Sequence, residues 1–462
     1  MSKRKDHLQL GGMIMSSPGG AWRYPSAESH RFLDVSYYIE IAQSLERGGF
    51  DFIFFADKLA VPGRSPDSTA GALRQGTWGS AQPDPLVIVS ALAATTKRIG
   101  LAYTISTSYH QPFIVARTLS TLDHLSGGRA AWNVVTSHED AEAQNFGLDE
   151  QLHREDRYER AEEFLETVFG LWDTWEDGAV IRDREANVVI DPAKVHLLNH
   201  EGEHFQVRGP LNMPRSPQGH PVIAQAGSSE RGREFAARWA EVIFTPQPNL
   251  EVAQNFYRDL KSRLSKFGRK EEDLKILPGV FVVAGETEAI AREKEEVLHS
   301  LNDTQQAIVA LSGMLEKDLR SYSLDEPAAP ILAPLTVKGM QGHLQALNAL
   351  AKKDNLTLGQ LARRFASGLT FAKFVGTGSQ IADQIEEWFE SYACDGFIIR
   401  TAYAPAGVDE FVRLVIPELR RRNLFRTDYE GITLRDHLHI PRPERNLWRK
   451  RLTPPPPIRA VA

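Results

Sequence analysis

The strongest constraint on this chain is a rhythm. Short apolar, β-prone runs alternate with longer segments of helical period, the pattern of βα units around a parallel sheet. Residues 8–13, 50–55, 99–104, 130–135, 221–225, 241–244, 274–283 and 396–399 read as strands. Between the first two, residues 34–47 place Val35, Tyr38, Ile39, Ala42 and Leu45 on one helical face and stop at Gly48-Gly49. Pro85 and Pro112 open further helices, and Gly127-Gly128 closes the second of these. Residues 154–175 form a long helix with mixed charges at i,i+4 spacing. This alternation predicts an α/β fold, a single (β/α)8 TIM barrel with insertions and a C-terminal extension. A doubly wound dinucleotide fold needs G-x-G-x-x-G after a strand, and neither Gly11-Gly12 nor Gly376-Thr377-Gly378 supplies it.

At 462 residues the chain exceeds a plain barrel of ~250 residues. The surplus falls in insertions at about 57–84, 176–220 and 305–376 of a barrel spanning 1–440, and in a Pro-rich tail over 441–462 that holds the prolines 454–457. Neither 176–220 nor 305–376 reads as apolar enough for a core of its own. A net charge of −6 with no basic stripe excludes a nucleic-acid binder. Lys3-Arg4-Lys5 is followed by no apolar stretch of a signal peptide, and no run approaches the ~18 apolar residues of a membrane span. The one cysteine, Cys394, removes internal disulfides and multi-Cys metal motifs. These features lead to the expectation of a cytoplasmic soluble protein.

His200-Glu201-Gly202-Glu203-His204 matches H-E-x-x-H, but zinc hydrolysis needs that pattern on a helix. Gly202 and the strand-like flanks predict a hairpin tip instead, and no metal site is expected. In a barrel the C-terminal strand ends face the active site, which selects Asp57, Thr104 to Thr107, Asn133 to Ser137 and Ala226 to Ser229. Each polar residue there also suits a loop hydrogen bond or a helix cap. Gly227-Ser228-Ser229 before a helix is suited to a phosphate, or to a plain Ser N-cap. His153 and Tyr158 open the long helix. With no acid/base pair, metal ligand or nucleophile elbow, a polar barrel mouth points to a bound cofactor as the carrier of the chemistry.

Gly127-Gly128-Arg129-Ala130-Ala131-Trp132-Asn133-Val134-Val135-Thr136-Ser137 resembles the bacterial-luciferase-like flavin monooxygenases, as do Leu122-Asp123-His124-Leu125-Ser126, Asp156-Arg157-Tyr158-Glu159-Arg160-Ala161-Glu162-Glu163-Phe164 and Gln225-Ala226-Gly227-Ser228-Ser229. The resemblance runs from about Leu8 to Leu438. Trp22-Arg23-Tyr24-Pro25-Ser26-Ala27 and Val207-Arg208-Gly209-Pro210-Leu211-Asn212 point within it to the branch of nitrilotriacetate monooxygenase component A, the pristinamycin synthase large subunit and dibenzothiophene sulfone monooxygenase. The sulfone enzymes carry His before Gly-Ala-Trp-Arg, where this chain has Gly19.

The resemblance implies a two-component oxidoreductase. It would take reduced FMN (FMNH2) from a separate NAD(P)H:flavin reductase, form a flavin C4a-(hydro)peroxide with O2, and oxygenate a small substrate. A nitrilotriacetate-like aminocarboxylate with C–N cleavage leads, an organosulfur compound with C–S cleavage is the alternative, and a flavin-binding barrel without catalysis is the competitor from another class. By matching position, Ser228, Ser229 and Tyr158 would hold the FMN phosphate; His153, Asn133 and Ser137 would line the ribityl chain and ring; Asp57 and Thr104 would lie under the isoalloxazine. Trp22, Trp78, Tyr103, Tyr109 and Phe244 are candidate aromatic walls, with Arg23, Lys58, Arg64 and Arg74 for substrate carboxylates. Residues 16–31, 61–82 and 305–376 have the lengths of lids. A homodimer or homotetramer is the expected assembly.

Overall fold

The computed structural model describes residues 4, 7–14, 20–63, 66–76, 78–337, 341–366 and 371–452. Among these, nine strands share one parallel sheet: β1 (Gln9–Ile14), β2 (Phe52–Phe55), β3 (Gly100–Ser106), β4 (Ala130–Val135), β5 (Val222–Gln225), β6 (Val242–Pro246), β7 (Lys275–Ala284), β8 (Ala372–Gly376) and β9 (Gly396–Thr401). Eight close into a barrel in the order β1-β2-β3-β4-β5-β6-β7-β9, and β9 returns to β1 with Gln9 opposite Gly396. These eight are the segments that the apolar rhythm marks as strands, so the (β/α)8 reading holds.

Side chains on each strand alternate between barrel and helices. Met13, Phe52, Phe54, Ala102, Ala131, Val222, Ala224, Val242, Leu277 and Ile398 fill the barrel, while Ile53, Leu101, Tyr103, Trp132, Ile223 and Ile399 face the surrounding helices. Those helices begin where side chains cap them: Asp34 accepts from Ser36 N before Val35–Gly48, Asp84 from Leu86 N before Pro85–Thr95, and Ser229 from Gly232 N before Glu230–Trp239. Gly49 and Gly127 end their helices at φ 86° and 72°, the left-handed conformation that favours glycine.

The N-terminal end of the barrel is plugged from the far end of the sequence. Leu434, Leu438 and Ile440 join the interior cluster, and Leu434 N donates to Gly128 O at 2.9 Å. Two buried ion pairs clamp the plug: Arg435 to Glu241 at 2.7 Å, and Arg426 to Asp51.

Three features depart from the sequence reading. β8 lies inside the stretch assigned wholly to the 305–376 insertion. It pairs with the outer half of β7 (Val280 opposite Ala372) and takes over that edge where β6 ends, Ala372 N donating to Gln247 O at 3.0 Å. Its five residues bury Ala372, Phe374 and Gly376, too short an alternation to stand out. The insertion also has its own apolar cluster, against expectation: Leu311, Leu315, Leu319, Leu332, Leu347, Leu358 and Leu361 bury one another. Its leucines are spread over separate helices (Thr304–Leu315, Ala328–Leu332, Gln341–Lys353, Leu358–Ala366), so no one segment looks core-like. Finally, residues 441–452, assigned to the tail, pack onto the barrel: Trp448 is buried in the main core and Arg442 pairs with Asp177 at 2.7 Å. The prolines 454–457, with Lys3 and Lys5, lie outside the described residues. No helix among the described residues is long and apolar enough to cross a membrane.

Candidate active site

At the C-terminal rim, β3 and β4 present Thr104 and Asn133 on the barrel's inner face, opposite one another in register. Thr104 Oγ1 donates to Phe55 O (2.9 Å) and accepts from Asn133 Nδ2 (2.8 Å). Asn133 Oδ1 is left buried with no partner among the described residues. Such an acceptor costs roughly 1–3 kcal/mol unless a ligand satisfies it. Ser137 follows at φ 48°, its hydroxyl donating to Ser106 Oγ at 3.0 Å and its carbonyl accepting from buried Arg157.

A second group forms at the start of the helix Glu230–Trp239. Ser229 caps it, Oγ accepting from Gly232 N at 3.1 Å, and Tyr158 reaches the same point from the helix Arg154–Trp172. A Cβ on Gly232 would stand 2.9 Å from the Tyr158 hydroxyl and 3.1 Å from Ser229 Oγ, and one on Gly227 would strike Gln225 Nε2 at 2.2 Å. Glycine is therefore what lets backbone and side chains converge here. Burial pushes the Tyr158 hydroxyl above its ordinary range, with the Ser229 hydrogen bond pulling against it. Arg231 stands 5.2 Å over the Tyr158 ring.

Asp57, just beyond β2, accepts from Lys58 N (2.9 Å) and Gln82 Nε2 (3.3 Å). Burial raises its carboxyl to about 6; the Lys58 N–H opposes that, and Asp84 and Glu142 add to it. Phe244 lies on the inner face, stacked on Phe371 with centroids 5.6 Å apart and 5.8 Å from Phe54.

The other expected residues make the following contacts. His153 is exposed and makes no cap bond to the helix it precedes. Trp22 is 51% exposed, and Arg23 donates to Leu301 O rather than reaching inward. Trp78 lies under Lys58, which pairs with Glu139 at 2.6 Å. Tyr109 stacks on Phe146 at 4.4 Å and accepts from Gln151. Tyr103 faces the helices, Arg74 is exposed, and Arg64 lies outside the described residues. The H-E-x-x-H segment forms the hairpin His200–Glu201/Gln206–Val207, where His200 bonds Glu163 at 3.1 Å. Among the described residues no group of His, Cys, Asp and Glu has metal-holding geometry.

Two rim residues escaped the sequence reading. His138 directly follows Ser137, and burial lowers its pKa. Arg400 sits on β9, one residue past the strand end read at Ile399, with its guanidinium 4.3 Å from the Phe281 ring and 4.4 Å from Phe371. The sequence signal for both was their place at a strand's C-terminal end.

Residues 11–394 match the family described as luciferase-like monooxygenase. The chain is 46% identical over 433 residues to nitrilotriacetate monooxygenase component A of Aminobacter aminovorans, covering 93% of this chain and 95% of that protein. It is 45% identical over 426 residues to the dibenzothiophene-sulfone monooxygenase of Rhodococcus erythropolis, covering 92% and 94%. Among solved structures, riboflavin lyase (RcaE), crystallised with modified FMN and riboflavin, superposes at a TM-score of 0.84 with 32% identity over 94% of this chain and 96% of that one. With the closed barrel and its polar C-terminal rim, these likenesses make the chain a member of the luciferase-like monooxygenase family.

Proposed function

We propose that the barrel mouth binds reduced FMN delivered by a separate reductase component, and that the enzyme uses it with O2 to oxygenate a small aminocarboxylate so that a C–N bond breaks. The observation that carries the flavin reading is the convergence of Ser229, the Tyr158 hydroxyl and two glycines whose Cβ atoms would fill the space at one helix N-terminus. Free N–H groups and the helix dipole there favour a phosphate. Ser228, Ser229 and Tyr158 hold that phosphate in this reading. Asn133 Oδ1, buried without a partner among the described residues, is suited to accept from the ring system, and Ser137 lines its path. Reduced flavin supplies the two electrons that activate O2. The chain's own work is to bind, orient and keep water out, and Phe54, Phe244 and Phe371 form an apolar wall suited to that.

The name component A borne by one relative supports a partner component for this chain too. Cytoplasmic residence fits an enzyme that depends on such a reductase. The sulfone relative, at nearly equal identity, keeps oxygenation of an organosulfur compound with C–S cleavage as the second reading. Anaerobic titration with FMNH2, comparing the native chain with Gly227→Ala, tests the flavin site; equal affinities would sink it. Product analysis with a generic flavin reductase, offering nitrilotriacetate and dibenzothiophene sulfone in turn, separates the two substrate readings.

A further inference from the structure

We propose that Phe371 sets the size limit of the substrate, because its ring walls off the barrel mouth from a side cavity that would otherwise extend it. The proposal rests on the barrel mouth being the oxygenation site, and it names the residue that decides how bulky a substrate that site accepts.

Leu277 lies in the barrel interior, so the strand's period of two puts Gly279, Phe281 and Val283 of β7 on the same face. β8 pairs with β7 so that Lys373 lies opposite Phe281 and Val375 opposite Val283, and residues opposite one another share a face. The alternate residues Val280, Val282, Ala372 and Phe374 are buried in the helix-side core instead. Lys373 and Val375 therefore carry the inner face of the barrel past its rim, and Phe371 stands where the two regions meet.

Three side chains pack against the Phe371 ring at that boundary. It stacks on Phe244 with centroids 5.6 Å apart, meets Phe281 edge to face at 5.9 Å and 76°, and has the Arg400 guanidinium 4.4 Å from its centroid. Gly279 lets the ring lie close against β7, since a Cβ there would come 2.8 Å from Phe371 and 2.5 Å from Phe244. On the far side of the ring is a cavity of about 570 Å3, within the range of small-molecule sites. Phe371, Lys373 and Val375 form one wall of it; Arg292, Glu295 and His299, on one face of the helix Glu288–Ser300, form another. Phe244, stacked on the ring, does not line the cavity. A second gap, beside Phe281, measures about 30 Å3, which admits water but no substrate.

The charges around the cavity are matched. Arg292 pairs with Glu288 at 3.9 Å, Lys373 with Glu295 at 3.1 Å, and Arg364 with Asp354. Selection at this boundary is therefore by bulk, and one aromatic ring supplies it.

The test is calorimetric binding to the full chain of two diacids that differ in bulk, N-methyliminodiacetate and N-(1-naphthylmethyl)iminodiacetate. Methyl phenyl sulfone and dibenzothiophene sulfone make a second pair for the sulfur reading. The chains compared are native, Phe371→Ala, Phe371→Leu and Phe371→Ala/Val375→Trp. In at least one pair, the ratio of bulky to small affinity should rise by roughly tenfold or more from native to Phe371→Ala, the low end of what a misfit group costs in an apolar pocket. Phe371→Leu should move it in the same direction, and adding Val375→Trp, which refills the cavity, should return it toward the native value. A ratio unmoved by Phe371→Ala in both pairs overturns the proposal, as does a gain that survives Val375→Trp, or the absence of binding of all four compounds by every chain. If Phe371→Ala fails to fold, Phe371→Leu decides, because an unchanged ratio there is equally fatal. Anaerobic titration of the native chain with FMNH2 is run separately, and failure there overturns the flavin reading alone, since the affinity ratios are read without flavin.

Discussion

Asp57 shows how much one rim position decides. Its raised carboxyl means that the folded chain favours the neutral acid, so the stability it contributes is present below about pH 4 and is lost as pH rises through about 6. Asp57→Asn should therefore match the native chain in thermal stability at pH 4 and exceed it at pH 7, and melting curves across that range check the sign. Ser229→Ala should cost about 1 kcal/mol through the lost cap and weaken FMNH2 binding roughly tenfold, the effect of one charge-assisted hydrogen bond. An unchanged anaerobic titration would remove Ser229 from the proposed phosphate site. The places of Thr104, Asn133 and Ser137 at the barrel rim and of Ser229 at a helix start were legible in the sequence because strand ends and helix starts carry position as well as chemistry. Arg400 was not: an arginine after an apolar run looks like the solvated end of a strand, and only the partner rings, over 25 residues away in sequence, show it turned inward. His153 shows the limit of such reading: a residue before a helix has two ways to point, and here it is exposed.

Among the elements, β9 carries the closure of the barrel, and its first residue explains why. A Cβ on Gly396 would lie 1.9 Å from Gln9 O, inside the register that joins β9 to β1. Gly396→Ala must push the two strands apart, and overpacking of this kind costs about 1–3 kcal/mol or more. Urea unfolding should show a lowered midpoint, and an unmoved midpoint would mean that closure tolerates the side chain. Helices with a proline or acidic start and a glycine stop were readable to within a residue or two, because caps are local. β8 was not, because its place depends on β6 ending early and leaving one edge of β7 open. That is a property of the sheet, which five residues cannot announce.

For the whole molecule, the plug at the N-terminal end of the barrel is the feature that no periodicity predicts. Burial pushes the Glu241 carboxyl up, but the Arg435 charge and hydrogen bond outweigh it and hold the group at about 2. This pair therefore stabilises the fold above pH ~4.5, the ordinary glutamate range, and loses that contribution only as pH falls toward 2. Arg435→Ala leaves a buried carboxylate without its cation, which typically costs about 3–5 kcal/mol. Chemical denaturation at pH 7 should show a loss of that order, with Arg435→Ala/Glu241→Gln recovering part of it. A loss under 1 kcal/mol would show that this ion pair does not hold the plug and that its apolar contacts and the Arg426–Asp51 pair do.

The same plug sets a clock on biosynthesis. The last barrel strand ends at Thr401, yet Leu434, Leu438 and Ile440 close the interior from further along the chain. At a ribosomal pace of about 5–20 residues per second, the finished sheet waits several seconds with its apolar floor open. Nascent chains stalled just after Thr401 should accordingly recruit chaperones, and those extended past Ile440 should release them.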